Sequence, residues 1–293
     1  MSRGGPLVHA AELWCEQRAE LGECPRWDGE HERLLWVDIA AGRALATDPD
    51  ATELLLELPG RASALAQRTG GGLLVAADTD LVLLDARGAV ERRVPVEDPG
   101  AGRVLNDAGC DAAGRLWIGS AVIDGEPASG GLFRVDAAGS RRMNGGVSMP
   151  NGIGWSPDTR RMYAVDTLPA RRIDVFEFDL AEGRIGARRA FAQIEDGLPD
   201  GLTVDAEGCV WVAIWGAGEV RRFDSGGRLL ARVRIPASQP SSCAFGGDGL
   251  RDLYITTARL GLGPRERERE PLAGSIFVLR DAGAGQPLHR VAL

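Results

Sequence analysis

Six polar residues recur at a nearly constant spacing along this chain, and they are its best candidates for chemistry. Each lies eleven to thirteen residues before the centre of an apolar segment. Four of them carry carboxylate or amide oxygens, and the other two are serines. In chain order they are Glu23, Ser63, Asn106, Asn151, Asp200 and Ser242. Oxygen ligands without cysteine or histidine suit Ca²⁺, Mg²⁺ or Mn²⁺, although Zn²⁺ also occupies such sites.

The apolar segments that follow these residues predict the fold that positions them. Their centres recur every 39 to 48 residues and are Trp36, Val75, Trp117, Tyr163, Trp211 and Tyr254. A repeat of roughly 40–50 residues built from short strands is typical of a β-propeller blade. The sequence therefore predicts an all-β, six-bladed β-propeller with four-stranded antiparallel blades, forming a single domain over residues 1–293.

The predicted propeller brings the polar residues together. Equivalent positions of the blades are related by rotation about one axis, so Glu23, Asn106, Asn151 and Asp200 converge there and describe a site for a divalent metal. We expect the apolar segments to be the inner strands of the blades. Residues 9–18 are expected to supply an outer strand to the last blade and so close the ring. The charged insertion 261–271 is expected to be a solvated loop.

Composition excludes several classes of function. The net charge of −8 and the pI of about 5.1 are unfavourable for binding nucleic acid, which depends on basic side chains. No run of 18 apolar residues predicts a membrane span, and the N-terminus lacks the apolar stretch of a secretory signal. The five scattered cysteines indicate free, reduced thiols. We expect a cytoplasmic protein that is a monomer or a weak homo-oligomer.

Other catalytic arrangements lack their residues. The chain has only three histidines (His9, His31 and His289), and none lies at a ring position, so a Ser-His-Asp triad has no base. The segment Gly154–Asp158 lacks the last glycine of a nucleophile elbow. Paired glycines elsewhere lack the third glycine and the βαβ context of a dinucleotide-binding loop.

Several motifs in order carry a family resemblance over nearly the whole chain. They are Leu21–Trp27 (LGECPRW), Asn106-Asp107, Asp111–Trp117 (DAAGRLW), Met149–Asp158 (MPNGIGWSPD), Gly197–Asp205 (GLPDGLTVD) and Ser241–Gly247 (SSCAFGG). These motifs resemble those of the senescence-marker-protein/gluconolactonase/regucalcin family. The resemblance implies a six-bladed propeller with one catalytic divalent metal that hydrolyses sugar lactones, and so a hydrolase of carboxylic ester bonds.

The resemblance also implies roles for single residues. Glu23, Asn151 and Asp200 would be the protein ligands of the metal, and Asn106 would lie beside it and contact substrate or a bound water. The metal would polarise the lactone carbonyl as a Lewis acid. Asp200 is the nearest general base for the attacking water, although activation of the water by the metal itself stays open. The ion could be Ca²⁺, Zn²⁺, Mn²⁺, Mg²⁺ or Fe²⁺.

The substrate pocket departs from the family pattern. The family arginine two residues before the Asn-Asp pair is replaced by Val104, and Arg103 is one residue further away. Asp124 aligns with a family substrate contact that is glutamate in some members. We expect Asn106, Arg103 and Asp124 to contact a small sugar lactone. Two alternatives stay open, namely a metal-dependent esterase or organophosphate hydrolase and a non-catalytic metal-binding propeller.

Overall fold

Six small β-sheets make up nearly all of the regular structure. The computed structural model describes residues 5–124 and 126–293, so residues 1–4 of the predicted domain lie outside the description. Within each sheet, strands that are consecutive in the chain pair as antiparallel neighbours. The six sheets, called blades 1 to 6 below, confirm the predicted six-bladed propeller.

The strand bounds follow the chain from blade to blade. The N-terminal segment and blade 1 contain β1 (Leu7–Ala10), β2 (Glu12–Cys15), β3 (Gly22–Asp28), β4 (Arg33–Asp38), β5 (Arg43–Thr47) and β6 (Thr52–Glu57). Blade 2 contains β7 (Ala62–Gln67), β8 (Leu73–Ala77), β9 (Asp80–Leu84) and β10 (Val90–Pro95). Blade 3 contains β11 (Arg103–Cys110), β12 (Leu116–Val122), β13 (Gly130–Asp136) and β14 (Gly139–Val147).

The second half repeats the pattern with small additions. Blade 4 contains β15 (Pro150–Trp155), β16 (Arg161–Asp166), β17 (Arg172–Asp179), β18 (Arg184–Ile185) and β19 (Arg189–Gln193). Blade 5 contains β20 (Leu198–Val204), β21 (Val210–Trp215), β22 (Glu219–Phe223) and β23 (Leu229–Arg234). Blade 6 contains β24 (Pro240–Gly246), a 3₁₀ turn (Asp248–Leu250), β25 (Asp252–Thr257), α1 (Pro264–Arg269) and β26 (Ile276–Leu279).

The first strand of every blade lines the central channel. Strands β3, β7, β11, β15, β20 and β24 contact one another in cyclic order, with β24 returning to β3. The apolar segments predicted as inner strands are the second strands of their blades, so that prediction is wrong by one strand. The second strands read as apolar runs because both of their faces are buried. The channel strands carry the polar ring residues and several glycines, which weakens their apolar pattern.

The largest buried side chains belong to the second strands. Trp36, Trp117, Trp211 and Tyr163 are almost fully buried between blades. Trp117 donates its indole N–H to Asp111 at 2.8 Å, and Trp211 donates to Asp205 at 2.9 Å. Asp111 and Asp205 are themselves buried, and each also accepts bonds from the turn that leads to its tryptophan strand. An aspartate six residues before the tryptophan therefore joins turn and core in blades 3 and 5.

The N-terminal segment closes the ring by pairing with two blades. Strand β2 pairs with β26, with Leu13 opposite Phe277, so residues 12–15 complete blade 6 as expected. Strand β1 instead pairs in parallel with β23 of blade 5, where Val8 lies opposite Arg232. The prediction that residues 9–18 supply an outer strand to the last blade is therefore confirmed for residues 12–15, whereas residues 9 and 10 belong to β1 and pair with blade 5. Blade 5 thereby has five strands, and the outer edge of blade 4 is divided between β18 and β19.

The charged insertion contains a short helix. It is exposed, as expected, but residues Pro264–Arg269 form α1 where a loop was predicted. Pro264 begins the helix with its fixed φ, and Glu266 accepts a hydrogen bond from the Gly263 N–H at 2.7 Å. Arg267 and Arg269 in the last turn complement the helix dipole. Among the described residues, no helix has the length and apolar character needed to cross a membrane.

The last ten residues run across one end of the channel. The Ala206 N–H donates to the Ala284 carbonyl at 2.8 Å, and the Val291 N–H donates to the Gln67 carbonyl at 2.8 Å. Gln286 donates to main-chain carbonyls of blades 4 and 5. Ala292 donates its N–H to the Gly114 carbonyl of blade 3, and Arg290 forms an ion pair with Glu30 of blade 1. We call residues 284–293 the C-terminal strap. It lies where the channel strands end, so the ring residues near the start of those strands face the other end, the open mouth.

Candidate metal centre

Each channel strand departs from regular pairing at its ring residue. The register with the second strand breaks between Glu23 and Arg26 in blade 1 and between Pro150 and Ile153 in blade 4. The other four blades break at the equivalent place. Cys24, next to Glu23, adopts a φ of 48°, which is strained for a residue other than glycine. Such β-bulges re-aim side chains next to functional sites, and here each lies at or beside a ring position. In blade 6 the unpaired residue is Ser241, because Ser242 pairs with Thr256, so the position predicted at Ser242 is wrong by one residue.

Two asparagines form the start of a hydrogen-bonded chain across three blades. Asn106 donates its amide to the Asn151 side-chain oxygen and to the Pro150 carbonyl, both at 3.0 Å. Asn151 donates to the Thr167 hydroxyl at 2.9 Å, which donates to the Pro199 carbonyl at 2.8 Å. These bonds fix both side-chain amides, with the oxygen of Asn151 as an acceptor. Pro199 directly precedes Asp200, so the chain links the blade-3, blade-4 and blade-5 ring positions.

Glu23 and Asp200 are buried close enough to repel each other. Both residues are less than a tenth exposed. Burial raises the pKa of Glu23 well above its usual value, and the negative charges of Asp200 and Asp107 raise it further. Burial also raises the pKa of Asp200, as does the charge of Asp107, while a hydrogen bond from Asn151 opposes the shift. The structure therefore brings Glu23, Asn151, Asp200 and Asn106 together, as the sequence predicted.

The third carboxylate, Asp107, is a site residue that sequence reasoning did not single out. It lies beside Asn106, is buried, and accepts a hydrogen bond from the Ala108 N–H at 2.7 Å. Burial raises the pKa of Asp107, and the nearby Arg26 guanidinium opposes that shift. Arg26 itself donates to the Ala108 carbonyl. The sequence did contain a signal for Asp107, because the family motif Asn106-Asp107 includes both residues.

The donor set fits a divalent cation. Among the described residues, one buried carboxylate oxygen of Asp200 has no hydrogen-bond donor, and Glu23 accepts only the adjacent Cys24 N–H, at 2.8 Å. Three ionised carboxylates and the Arg26 guanidinium leave a net charge of −2, which one divalent cation cancels. Buried charges of like sign are costly unless they are paired or coordinate a metal. Glu23, Asn151 and Asp200 supply hard oxygen ligands of the kind that such ions prefer.

Arg103 and Asp124 lie at different places around this centre. Arg103 donates to Glu97 at 2.9 Å, and Glu97 also accepts from the Ser120 hydroxyl at 2.7 Å. The Arg103 guanidinium is thus ion-paired with Glu97, whose partner Ser120 lies opposite Leu105, the neighbour of Asn106. Asp124 is exposed in the loop after β12, where its N–H donates to the Gly102 carbonyl at 3.0 Å.

Glycines directly after two expected ligands let the channel strands approach closely. A Cβ added to Gly152 would lie 2.3 Å from the Leu202 nitrogen, and one added to Gly201 would lie 1.9 Å from the Ser242 hydroxyl oxygen. Both distances are far below ordinary contact. Gly152 and Gly201 are therefore required for the strand spacing that brings Asn151 and Asp200 together.

Two further acidic groups already have structural partners. Asp28, Glu30 and His31 cluster in a turn of blade 1, where His31 contacts Asp28 at 2.8 Å. A second cluster surrounds Asp205, whose carboxylate binds Trp211 and Arg222. His9 is exposed on β1 and His289 lies in the strap. Within residues 5–124 and 126–293, no histidine therefore belongs to the candidate metal centre.

Comparison with known proteins shows which family the chain is similar to. A model of the SMP-30/gluconolactonase/LRE-like region matches residues 21–259. The chain is 36% identical over 280 residues to a 6-deoxy-6-sulfogluconolactonase of Pseudomonas putida, covering 93% of this chain and 96% of that protein. It is 35% identical to a pentonolactonase of Haloferax volcanii over 283 residues, covering 92% and 94%.

Solved structures give the same result for the fold. The calcium-binding protein regucalcin from Agrobacterium tumefaciens superposes with a TM-score of 0.90 at 29% identity, covering 99% of this chain and 100% of that one. The family match extends from just before Glu23 to just before the charged insertion of blade 6, so it includes every ring residue. The chain belongs to the SMP-30/gluconolactonase/LRE-like family.

Proposed function

We propose that this protein hydrolyses a sugar lactone to the corresponding aldonic acid, with one divalent cation held by Glu23, Asn151 and Asp200. The observation that supports it most is the buried group of three carboxylates with an unpartnered Asp200 oxygen, at the mouth of a channel in a family whose named relatives include lactonases. A bound cation would supply Lewis-acid polarisation of the lactone carbonyl.

The side chains around the cation would carry the remaining steps. Asp200 accepts a proton from the attacking water, whose oxygen forms a bond to the carbonyl carbon. The ring C–O bond then breaks, and the ring oxygen takes the proton held by Asp200 to become a hydroxyl group, which restores the Asp200 carboxylate. A carboxylate whose pKa is raised by burial is a better proton acceptor near neutral pH, although a bound cation lowers that pKa again.

The mouth of the channel would position the sugar. Asn106 is held by Asn151 and Pro150, so its side-chain oxygen faces away from those bonds and can accept from a substrate hydroxyl or a water. Asp124 is exposed and free to accept from sugar hydroxyls. Arg103 would act through Glu97 and Ser120, supporting β11 from behind. We propose Asn106 and Asp124 as the direct contacts.

A panel of 1,4- and 1,5-aldonolactones tests the proposal. Chelator-treated protein is refilled with Ca²⁺, Mn²⁺, Zn²⁺, Mg²⁺ or Fe²⁺, and acid release is followed after subtraction of spontaneous hydrolysis. We expect turnover to return with metal and to be lost in Asp200→Ala. Aryl esters and organophosphates in the same panel test the second candidate, which the apolar Val104 at the mouth favours. Metal-dependent stability without turnover of any compound would contradict both and indicate a binding propeller.

A further inference from the structure

The positions two residues before the ring form a second circle nearer the mouth. The channel strands run from the mouth towards the C-terminal strap, so residues that precede the ring lie on the mouth side. The six positions are Leu21, Arg61, Val104, Met149, Leu198 and Gln239, the last because β24 is unpaired at Ser241. Four of these side chains are apolar and that of Gln239 is neutral. Arg61 of blade 2 is therefore the single charged side chain of this circle.

The Arg61 guanidinium has no partner of its own. It is half-buried, its Nε is buried without a hydrogen-bond acceptor, and it forms no ion pair with any residue that the structure describes. Burial lowers the pKa of Arg61, and the Asp78 carboxylate opposes that shift from a distance. One oxygen of Asp78 accepts from the Arg61 backbone N–H at 3.2 Å. A partly buried cation without a partner is unfavourable unless a ligand pairs with it.

The backbone of Arg61 is connected to the candidate site through Asp78. The Asp78 carbonyl accepts from the Leu105 N–H at 2.6 Å, and Leu105 directly precedes Asn106. Two residues after Arg61, the Ser63 hydroxyl occupies the ring position of blade 2 and is also buried without a partner. Blade 2 supplies no expected metal ligand, yet it carries two polar side chains without a partner among the described residues, and its channel strand contacts the strand that carries Asn106.

Building on the proposed lactonase function, we propose that Arg61 binds an oxoanion carried by the substrate, so that acidic sugar lactones are the preferred class. The planar guanidinium matches a carboxylate, sulfonate or phosphate group with two parallel hydrogen bonds. The carboxylates of the centre do not repel such a substrate once a divalent cation has cancelled their net charge. Arg61 is thus a specificity-determining residue, separate from the groups that act on the lactone bond.

Two lactones that differ only at C6 test this role. D-glucaro-1,4-lactone carries a carboxylate where D-glucono-1,4-lactone carries a hydroxymethyl group. We expect the metal-loaded wild type to have a higher kcat/KM for the acidic lactone than for the neutral one. Arg61→Met should lower kcat/KM for the acidic lactone by about 10- to 100-fold, mainly by raising KM. The neutral lactone should change little, and Arg61→Lys should keep part of the preference. Arg33→Met, which removes an ion-paired arginine of blade 1, is the matched control.

The outcomes separate this proposal from the one on which it rests. Equal losses for both lactones in Arg61→Met, or no preference in the wild type, would overturn the oxoanion role while leaving lactone hydrolysis intact. If neither lactone turns over, the lactonase proposal fails, and thermal shift then decides the role of Arg61. In that case D-glucaro-1,4-lactone must raise the Tm of the metal-loaded wild type and leave that of Arg61→Met unchanged, and any other result contradicts the proposal.

Discussion

Gly152 lies between two strands that carry expected metal ligands, so an alanine there tests the site through its scaffold. The added Cβ would lie 2.3 Å from the Leu202 nitrogen and 2.8 Å from the Asp200 carbonyl oxygen. Carbon atoms in ordinary contact are roughly 3.5–4.0 Å from their neighbours, so β15 and β20 must separate by about 1 Å. A ligand set tolerates errors of only about 0.5 Å.

The expected cost has a structural part and a binding part. Overpacking of this kind lowers the free energy of unfolding by about 1–3 kcal/mol. In a chain of this size each kcal/mol lowers Tm by about 2–4 °C. Because Asn151 moves relative to Asp200, we expect Ca²⁺ or Mn²⁺ to bind Gly152→Ala about 10- to 100-fold more weakly, as for the loss of a supporting contact at a metal site.

Calorimetric titration of chelator-treated protein with Ca²⁺ or Mn²⁺ measures the affinity, and circular dichroism confirms that the variant is folded. Gly70→Ala is the matched control, because its Cβ would meet no atom within 4 Å and its φ is not positive. Wild-type affinity in a folded Gly152→Ala protein would refute the argument that this close approach sets the distance between the ligands.

Three further predictions concern the carboxylates, the thiols and the strap. In metal-free protein, Asp200→Asn should raise Tm at neutral pH. Because folding raises the pKa of Asp200, wild-type stability falls as the pH rises from the pKa of the unfolded state to that of the folded state. The advantage of the variant should therefore vanish in acid, and a pH-independent advantage would contradict this. Burial raises the pKa of Cys24 to about 11 and that of Cys110 to about 12. When the native protein is treated with maleimide, mass spectrometry should therefore find label first on the partly exposed Cys15. Early labelling of Cys24 would be the opposing result. Gln286→Ala should lower the free energy of unfolding by about 1–3 kcal/mol, because it leaves the Trp155 and Val204 carbonyls without their donor. Urea denaturation measures this change, and an unchanged midpoint would argue against a stabilising strap.

The polar ring could be predicted from the sequence because rotation converts a constant phase into convergence. Four residues lie at one phase of the repeat, namely Glu23, Asn106, Asn151 and Asp200. Their convergence could be predicted without any information on strand pairing, and the structure places them together. The substrate contacts Arg103 and Asp124 stay predictions, and the ion pair of Arg103 with Glu97 depends on side-chain geometry that no local pattern contains.

Other features depend on long-range packing. The channel strands were not predicted as the inner strands because polar ring residues, glycines and bulges interrupt their apolar pattern. The second strands are buried on both faces and therefore show an uninterrupted apolar pattern. Asp107 gains its importance from Arg26, which is remote in sequence and meets it only in the channel. The strap has no regular alternation of apolar and polar residues, and its hydrogen bonds to five blades are visible only in three dimensions.

The pairing of the first strands with the last blades has a consequence for synthesis of the protein. Arg280 meets Glu12 across a sequence separation of 268 residues, and β2 completes the blade that contains β26. During translation the N-terminal segment therefore emerges long before its partners exist. Blades 1 to 4 can form from local hairpins as they leave the ribosome, but the ring can close only after release of nearly the whole chain. Until then the unpaired edges of the growing sheet are open to association with other chains.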